Sequence, residues 1–389
     1  MNEANTISVS PGQTLAWAKA ERLKRPADVV VTIALAAGIW NEAINLPPNT
    51  GLRGAGAHQT IVDRVGATGN AMGNISIVGL TARGTATQEG IRVVGAAQTV
   101  WIQSCRVTGG VKNITIQGRT ESPGKSAQRI GMVTIERCTL LDATGDGNAC
   151  GIFLNHVDDY EINKTFIHRA GLGKQNALCH GIYIQKDCEP GRIFGCVIGD
   201  SSAHAIQQRG GGDIASCLCF GNPCGIYSAG RHEFSVRYNV VIEGGDIGPK
   251  DSRGWGIEIF PGDGGVRNNI VGRMSGRAPR SIWMKQKDIE YADTDGEIVV
   301  YDNTSDLPIV LHPRPETHLK SSGNRIGYVA SLAEYAASSN RTRAELIDDW
   351  RDGVGVEVAG ANAWFRDRMA GVMASDILAA TLKESPHAD

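Results

Sequence analysis

A short β-like phrase recurs along the middle of this chain, and this repeat restricts the fold more than any other feature of the sequence. The phrase has an apolar residue, two variable residues, a small or polar residue, one further residue and then an apolar one. It occupies residues 77–82, 102–107, 135–140, 162–167, 193–198, 214–219, 236–241 and 266–271. The steps between fourth positions are 25, 33, 27, 31, 21, 22 and 30 residues. Such self-similarity predicts a solenoid whose coils contact only their neighbours.

A second phrase, usually Gly-Ile followed by a variable residue, lies between the copies of the first. It ends at Arg92, Phe153, Tyr183, Gln207, Tyr227 and Glu258, with Ala-Ile in place of Gly-Ile at Gln207. Two or three short strands in each repeat, separated by Gly, Asn and Asp turns, predict an all-β, single right-handed parallel β-helix. A leucine-rich repeat would need L-x-x-L-x-L phrasing, and a propeller blade would need about 40 residues.

Stacked coils place equivalent residues in ladders, because strands of neighbouring coils lie ~4.8 Å apart. The fourth positions of the first phrase form one such ladder: Leu80, Cys105, Cys138, Thr165, Cys196, Cys217, Asn239 and Asn269. Stacked asparagines can bond to one another, and cysteines fill the ladder as small apolar groups. The nine cysteines include no C-x-x-C pair. We therefore expect reduced, buried thiols, no zinc site and no cofactor.

Both ends of the coil need covers, since an open coil exposes strand edges and its apolar interior. Residues 11–24 predict a helix with Thr14 as N-cap and with Leu15, Ala18 and Leu23 on its apolar side. Two capping boxes, at 331–334 and 342–345, predict two C-terminal helices. A third is predicted over 361–383, with an apolar stripe of Trp364, Phe365, Met369, Val372, Met373 and Ile377. This helical region is expected to plug the coil or to form an oligomer contact.

The chain is thus divided into an N-terminal cap helix with the first coils (1–72), the β-helix proper (73–280), and final strands with a helical cap or oligomer region (281–389). The coil phrase fades after residue 280.

Three segments near the N-terminus carry a family resemblance. They are Ile7-Ser-Val-Ser-Pro-Gly-Gln-Thr-Leu, Gly38-Ile-Trp-Asn-Glu and Leu46-Pro-Pro-Asn-Thr-Gly-Leu-Arg-Gly-Ala-Gly. Together with the coil phrases, they make residues 7–275 resemble the pectate-lyase-like β-helix superfamily, which contains polysaccharide lyases and phage tailspike-type depolymerases. The resemblance implies a carbohydrate groove along one parallel sheet. No aspartate cluster with Arg-x-Pro-x-x-Arg is present, which argues against a calcium site and against pectate as substrate.

The second phrase identifies the face that could form this groove. If its isoleucine points inward, the next residue points outward, because side chains alternate along a strand. The outward row is Arg92, Phe153, Tyr183, Gln207, Tyr227 and Glu258, followed by Asn155, Gln185, Arg209, Ala229 and Phe260. Aromatic rings can stack on sugars, while amides and guanidiniums bind hydroxyls and carboxylates. We expect an acidic polysaccharide of a bacterial surface or extracellular material to bind there and to be cleaved by β-elimination.

Histidines concentrate in the same coils. His156, His168, His180 and His204 lie within two coils, and His180 and His204 each precede the inward isoleucine by two residues. We expect these two to stack at a corner of the coil. For β-elimination, Arg209 with Gln207 or Gln208 would neutralise the carboxylate, His180 or His204 would take the proton, and Tyr183 or Tyr227 would protonate the leaving oxygen.

Two alternatives stay open from the sequence. A glycoside hydrolase would need paired carboxylates, drawn from Glu258, Glu243 and Asp246 or from Asp158, Asp159 and Glu161. A phage-like spike would bind the glycan on the same face without cleaving it.

Charge and hydropathy limit the partners. The net charge is -2, which gives no general attraction to nucleic acid. No apolar run approaches the ~18 residues of a membrane span. No export signal is visible, so we expect a virion-associated protein released by lysis, non-classical release, or a cytoplasmic location. By the same resemblance we expect a homotrimer and virion proteins as partners.

Overall fold

Inward isoleucines and valines at strand spacing give this chain a parallel β-helix with three sheets. The computed structural model describes residues 5–119, 127–145, 148–171, 177–229, 232–248, 251–260, 262–284, 296–311, 318–368 and 371–373. Among the described residues, every pairing between these strands is parallel except one, at the C-terminus. The predicted all-β parallel β-helix is confirmed.

Each coil contributes one strand to each sheet, in the order sheet 1, sheet 2, sheet 3. Sheet 1 contains β1 (Thr6–Val9), β2 (Val31–Leu35), β4 (Thr50–Arg53), β6 (Asn74–Val78), β9 (Ala97–Gln103), β12 (Ile130–Glu136), β15 (Val157–Asn163), β18 (Gly191–Phe194), β21 (Gly212–Ala215), β24 (Phe234–Arg237), β27 (Gly264–Arg267), β30 (Glu297–Tyr301) and β33 (His318–Ser322).

Sheet 2 is built from short strands. It contains β7 (Thr81–Arg83), β10 (Arg106–Thr108), β13 (Thr139–Leu141), β16 (Phe166–His168), β19 (Val197–Gly199), β22 (Leu218–Phe220), β25 (Val240–Ile242), β28 (Ile270–Gly272), β31 (Thr304–Ser305), β34 (Arg325–Gly327) and the antiparallel β35 (Gly371–Met373).

Sheet 3 contains β8 (Ile91–Gly95), β11 (Lys112–Gln117), β14 (Cys150–Asn155), β17 (His180–Ile184), β20 (His204–Gln208), β23 (Cys224–Ser228), β26 (Trp255–Ile259), β29 (Arg280–Met284) and β32 (Val310–Leu311). The long strands β3 (Gly38–Leu46) and β5 (Thr60–Gly69) pair with each other, and β5 continues into both sheets 2 and 3.

The predicted ladder runs along the turn between sheets 1 and 2. Its asparagines bond in sequence: Asn239 Nδ2 donates to Asn269 Oδ1 at 3.0 Å, and Asn269 Nδ2 donates to Asn303 Oδ1 at 3.0 Å. Asn303 continues the series to Asn324, at 2.9 Å. Strands β30, β31, β33 and β34 pair in register with this ladder, so the coil continues past residue 280, where its sequence phrase fades.

The cysteines behave as the ladder argument predicts. All nine are buried and free of disulfides. Burial raises the pKa of Cys105 to about 12, against 9.0 ordinarily, so this thiol stays protonated and unreactive at neutral pH.

Helix α1 (Leu15–Leu23) forms where the sequence predicts it. The Thr14 side chain accepts a hydrogen bond from Trp17 N, and Leu15 and Ala18 are buried. Leu23 is 63% exposed, so its predicted place on the apolar side is wrong. Arg22 is buried instead, and its guanidinium donates to Thr50 Oγ1 and to the Pro48 carbonyl. The helix packs against the first strands, and its role as a cover for the coil stays a prediction.

The three C-terminal helices fold back along the coil. They are α2 (Leu332–Ser338), α3 (Arg343–Asp352) and α4 (Ala359–Asp367), and both predicted capping boxes are present at Ser331 and Thr342. The third helix is shorter than predicted: it ends at Asp367, and Gly371–Met373 forms β35. Met369, Ile377 and most of the predicted extension to 383 lie outside the described residues.

These helices cover the side of the coil and not its end, and the alternative expectation, an oligomer contact, stays a prediction. The outer face of sheet 2 is apolar, with Phe166, Phe220 and Val240 packing against Leu332, Ile347, Phe365 and their neighbours. Covering this face removes its apolar area from water. His168 lies in this interface, with Nε2 2.9 Å from Asp200 Oδ2 and Nδ1 2.7 Å from Arg351 Nη1, so it has a structural role there.

Candidate functional site

The outer face of sheet 3, which we call the wall, carries three rows of side chains. The first row follows the inward isoleucines and stacks in register as Arg92, Thr115, Phe153, Tyr183, Gln207, Tyr227, Glu258 and Trp283. The second lies two residues on and contains Asn155, Gln185, Arg209 and Phe260. The third lies two residues before the isoleucine and contains Lys112, Cys150, His180, His204, Cys224, Trp255 and Arg280.

A bend at the start of each strand brings the third row onto the wall. The residue between the third row and the isoleucine is glycine in most coils, and a Cβ at Gly181 would collide with Ile198 inside the coil. The glycine therefore faces inward at the corner, and the residue before it turns outward. His180 and His204 stack there as predicted, with their Nδ1 atoms 3.3 Å apart.

Four side chains form a connected network on the wall. With the Gln207 amide oriented to satisfy its neighbours, its oxygen accepts from Arg209 Nη2 at 3.0 Å and Nε at 3.2 Å. Its nitrogen donates to His180 Nε2 at 2.9 Å. His180 must therefore carry its proton on Nδ1 and donate it to His204 Nδ1, which leaves the His204 proton on Nε2. That Nε2 has no partner among the described residues.

Both histidines are held neutral. Burial lowers the pKa of His180 from 6.5 to about 3, and the positive charge of Arg209 adds to this. Burial, then the neighbouring His180, Arg253 and Arg209, lower the pKa of His204 well below 6.5. Because both ring nitrogens of His180 are engaged, it is a positioning residue for Gln207 and Arg209. The structure thus corrects the assignment of His180 as a base, and it makes His204 a hydrogen-bond donor.

Arg209 is the cation that this network presents. Its guanidinium carbon lies 5.5 Å from the centre of the Tyr183 ring and 5.9 Å from that of Tyr227. Arg209 and Tyr183 are half-buried, whereas Tyr227 is 6% exposed and contacts the His204 ring edge-on at 5.5 Å. Phe153 extends the aromatic surface, with its ring centre 5.6 Å from that of Tyr183.

A second aromatic cluster, which sequence reasoning missed, lies farther along the wall. The rings of Trp255 and Trp283 contact each other at 4.6 Å between centres, and Arg253 and Arg280 stack on them at 4.4 Å and 4.0 Å. The phrase Ser281-Ile-Trp matches Gly-Ile-x with serine in place of glycine, so the signal for Trp283 was present in the sequence. Nothing comparable marks Arg253, which lies in a loop before β26.

Several predicted binding residues take other positions. Gln208 points into the coil, where it is fully buried and its Nε2 donates to Tyr160 Oη at 2.7 Å, so its assignment to substrate binding is wrong. Glu258 and Phe260 face outward, but each is only 2% exposed, so they lie beneath the exposed side chains of the wall. Asn155 Oδ1 lies 2.8 Å from His156 Nδ1. Arg92 lies 3.5 Å from Glu89, and Gln185 is half-buried at the edge.

The carboxylates proposed for hydrolysis do not meet on the wall. Glu243 accepts from Leu332 N at 2.8 Å and lies against Arg343, beneath the C-terminal helices. Asp246 accepts from Arg253 N at 2.8 Å and also pairs with Arg277. The second set, Asp158, Asp159 and Glu161, belongs to β15 in sheet 1. The first set forms no pair with Glu258 on the wall, and the second set lies on sheet 1, so neither supports hydrolysis at the wall.

The buried histidines predict a pH-dependent stability. An unfolded histidine binds a proton near pH 6.5, whereas His180 in the folded protein does so only near 3. Between these values the unfolded state binds more protons, so the free energy of unfolding falls as the pH falls, and above pH 6.5 this effect is absent. Below pH 6.5 we expect H180Q to reduce the slope of the free energy of unfolding against pH by up to ~1.4 kcal/mol per pH unit. Urea unfolding at several pH values measures it, with H318Q, on an exposed residue, retaining the wild-type slope.

Two features are absent from the described part of the chain, a membrane-spanning helix and a metal-binding cluster. Within it, no helix is both long enough and apolar enough to cross a membrane. In the same ranges, no group of three or more His, Cys, Asp or Glu side chains is arranged to hold a metal ion.

Comparisons with known proteins give similarity of fold. No family model and no curated protein matches the sequence. Similar solved structures include pectate lyase Pel9A, at 12% identity and a TM-score of 0.45, covering 87% of this chain and 86% of that one. A mannuronic acid-specific family 6 polysaccharide lyase from human gut microbiota has 12% identity, a TM-score of 0.44 and coverages of 81% and 82%. The Dettilon tailspike protein has 13% identity, a TM-score of 0.36 and coverages of 83% and 66%. The pectate-lyase-like resemblance of the sequence agrees with these structures at the level of fold.

Proposed function

We propose that the wall binds an acidic polysaccharide and that the bound chain is cleaved by β-elimination. The observation that carries this proposal is Arg209, a half-buried cation set between two tyrosine rings and fixed by Gln207. A guanidinium oriented by an amide and flanked by rings has a planar fork that suits two parallel hydrogen bonds to a carboxylate. The neighbouring rings offer apolar faces to the C–H groups of a sugar.

Elimination also requires a proton transfer. The proton on the carbon beside the carboxylate leaves, the bond from the neighbouring carbon to the glycosidic oxygen breaks, and a carbon–carbon double bond forms. Arg209 would stabilise the negative charge that develops on the carboxylate. We assign this transfer to Tyr183, the half-buried phenol beside Arg209. Its oxygen would take the proton from the carbon as its own hydroxyl proton passes to the leaving oxygen, so that the phenol is regenerated. His204 Nε2–H would donate to an acceptor on the sugar.

The test is turnover of purified polygalacturonate, polymannuronate, polyguluronate and hyaluronate. Ultraviolet absorbance of unsaturated uronate and release of reducing ends, rising together, would support elimination. Reducing ends without absorbance would reject elimination in favour of hydrolysis. Y183F should abolish turnover and retain binding, whereas W101A, on sheet 1, should leave both unchanged.

A receptor that binds the glycan without cleaving it is the second candidate. The specific observation in its favour is the engagement of both nitrogens of His180, which leaves the wall without a free imidazole base. Binding of an acidic polysaccharide in affinity electrophoresis, with no turnover of any member of the panel, would favour this candidate.

We also propose a homotrimer that associates with virion proteins and is released by lysis. This rests on the resemblance of the sequence to tailspike-type proteins. Light scattering of the purified chain tests the trimer, and a monomer at all concentrations would reject it.

A further inference from the structure

A cleft of about 440 Å³ lies away from the wall, where α4 docks on the turns between sheets 1 and 2. Its main side chains are Lys164, Phe194, Tyr238, Glu357, Asn362 and Arg366. Three of the turn residues beneath it, Lys164, Ser216 and Tyr238, have positive φ angles. The volume is within the ~300–1,000 Å³ of small-ligand sites. The cleft therefore has the size of a binding site for a small ring-shaped ligand.

Two aromatic rings border this cleft and remain open to solvent. Phe194 is 38% exposed and Tyr238 is 40% exposed, although most other phenylalanines of the described chain are buried. Tyr238 is held from below by Arg366, whose guanidinium carbon lies 5.1 Å from the ring centre. A sugar ring can stack on such surfaces through its C–H groups, and both rings line the cleft.

Both cations that line the cleft already have hydrogen-bond partners within the protein. Lys164 Nζ lies 2.9 Å from Glu357 Oε1. The Arg366 guanidinium donates to the carbonyls of Asn268 and Tyr238, at 3.2 Å and 2.6 Å. A charged ligand would have to break these contacts, so the cleft favours an uncharged one.

A buried polar atom adds a requirement for a hydrogen-bond donor. Asn362 is 5% exposed, and its Nδ2 donates to the Ser216 carbonyl at 2.7 Å. This fixes the amide so that Oδ1 is the remaining acceptor, and Oδ1 has no partner within the described ranges. Leaving a buried acceptor unpaired is costly, and a hydroxyl group would satisfy it.

We propose that this cleft binds one neutral sugar residue, stacked between Phe194 and Tyr238 with a hydroxyl directed at Asn362. The site lies on a different side of the coil from the wall and differs from it in charge preference. It does not depend on cleavage, so it can be present in an enzyme or in a receptor.

Saturation-transfer NMR on the full chain tests the site with the methyl glycosides of glucose, galactose, mannose and glucuronic acid. We expect at least one neutral glycoside to bind, and we expect the glucuronide to displace it poorly. F194A and Y238N should each weaken that binding about three- to tenfold, since a ring contact of this kind is lost. Asparagine tolerates the positive φ of position 238, so Y238N keeps the turn.

Matched controls separate this site from the wall. Trp101 lies on sheet 1, like Phe194, and its ring is 42% exposed outside the cleft. W101A should therefore leave the affinity for the neutral glycoside unchanged. R209A should also leave neutral-sugar binding intact while removing binding of acidic chains. Absence of binding by all the neutral glycosides, or equal binding by wild type, F194A and Y238N, would overturn the proposal whether or not the wall cleaves its substrate.

Discussion

R209A is expected to lower the rate of polysaccharide cleavage by about 100-fold or more, which is the usual cost of removing one preorganised group that stabilises developing charge. Arg209 is half-buried between Tyr183 and Tyr227 and is fixed by Gln207 at 3.0 Å and 3.2 Å. R209K keeps the charge but loses the planar fork, so an intermediate rate is expected. Initial rates of unsaturated-uronate formation on the same substrate measure both variants.

The matched control for Arg209 is Arg92, another arginine of the wall. Arg92 lies 3.5 Å from Glu89 and has no tyrosine ring beside it among the described contacts. R92A should therefore retain most of the rate. Urea midpoints of both variants should stay close to wild type, which would separate loss of function from loss of folding. Equal loss of rate in R92A and R209A would show that only the overall charge of the wall matters.

A substitution at Gln207 tests the same hydrogen-bond network. Q207L breaks the link between Arg209 and His180 while leaving both residues in place. We expect a rise in KM larger than the fall in kcat, because Arg209 becomes less well oriented before the chemistry begins. Steady-state kinetics on the best polysaccharide of the panel measure the two constants, and an unchanged KM would contradict the positioning role of Gln207.

The fold was accessible from the sequence because each coil repeats the same physical requirements. Each coil has an inward isoleucine, a corner glycine and a small or polar ladder residue. Examples are Ile182, Gly181 and Cys196, and their equivalents recur in other coils. Period-two alternation then predicted the first two rows of the wall. The stacking of His180 on His204 followed from their equal distance to the inward isoleucine of each coil.

The site could be predicted only in part, because alternation does not determine how deeply a side chain is buried or whether it is protonated. Gln208 follows Gln207 directly, and its inward orientation follows from the same alternation that places Gln207 outward. The neutral state of the histidines depends on burial by other segments, which no local pattern shows. The docking of the C-terminal helices depends on the apolar outer face of sheet 2, visible at Phe166 and Phe220 only after the sheet is assembled.

N269A is expected to lower the free energy of unfolding by about 2 to 5 kcal/mol, because several buried polar groups lose a partner at ~1–3 kcal/mol each. Asn269 Oδ1 accepts from both nitrogens of Asn239, N and Nδ2, at 3.0 Å each. Its Nδ2 donates to the Val236 carbonyl and to Asn303 Oδ1. N269C should recover little of this loss, although cysteine fills the same position in four other coils, because the neighbouring asparagines still lack partners. Urea unfolding measures both, with N163A as control, since Asn163 is half-buried on sheet 1 and bonds to Glu161. If N269C were as stable as wild type, the ladder would depend on filling volume and the hydrogen bonds along it would add nothing to stability.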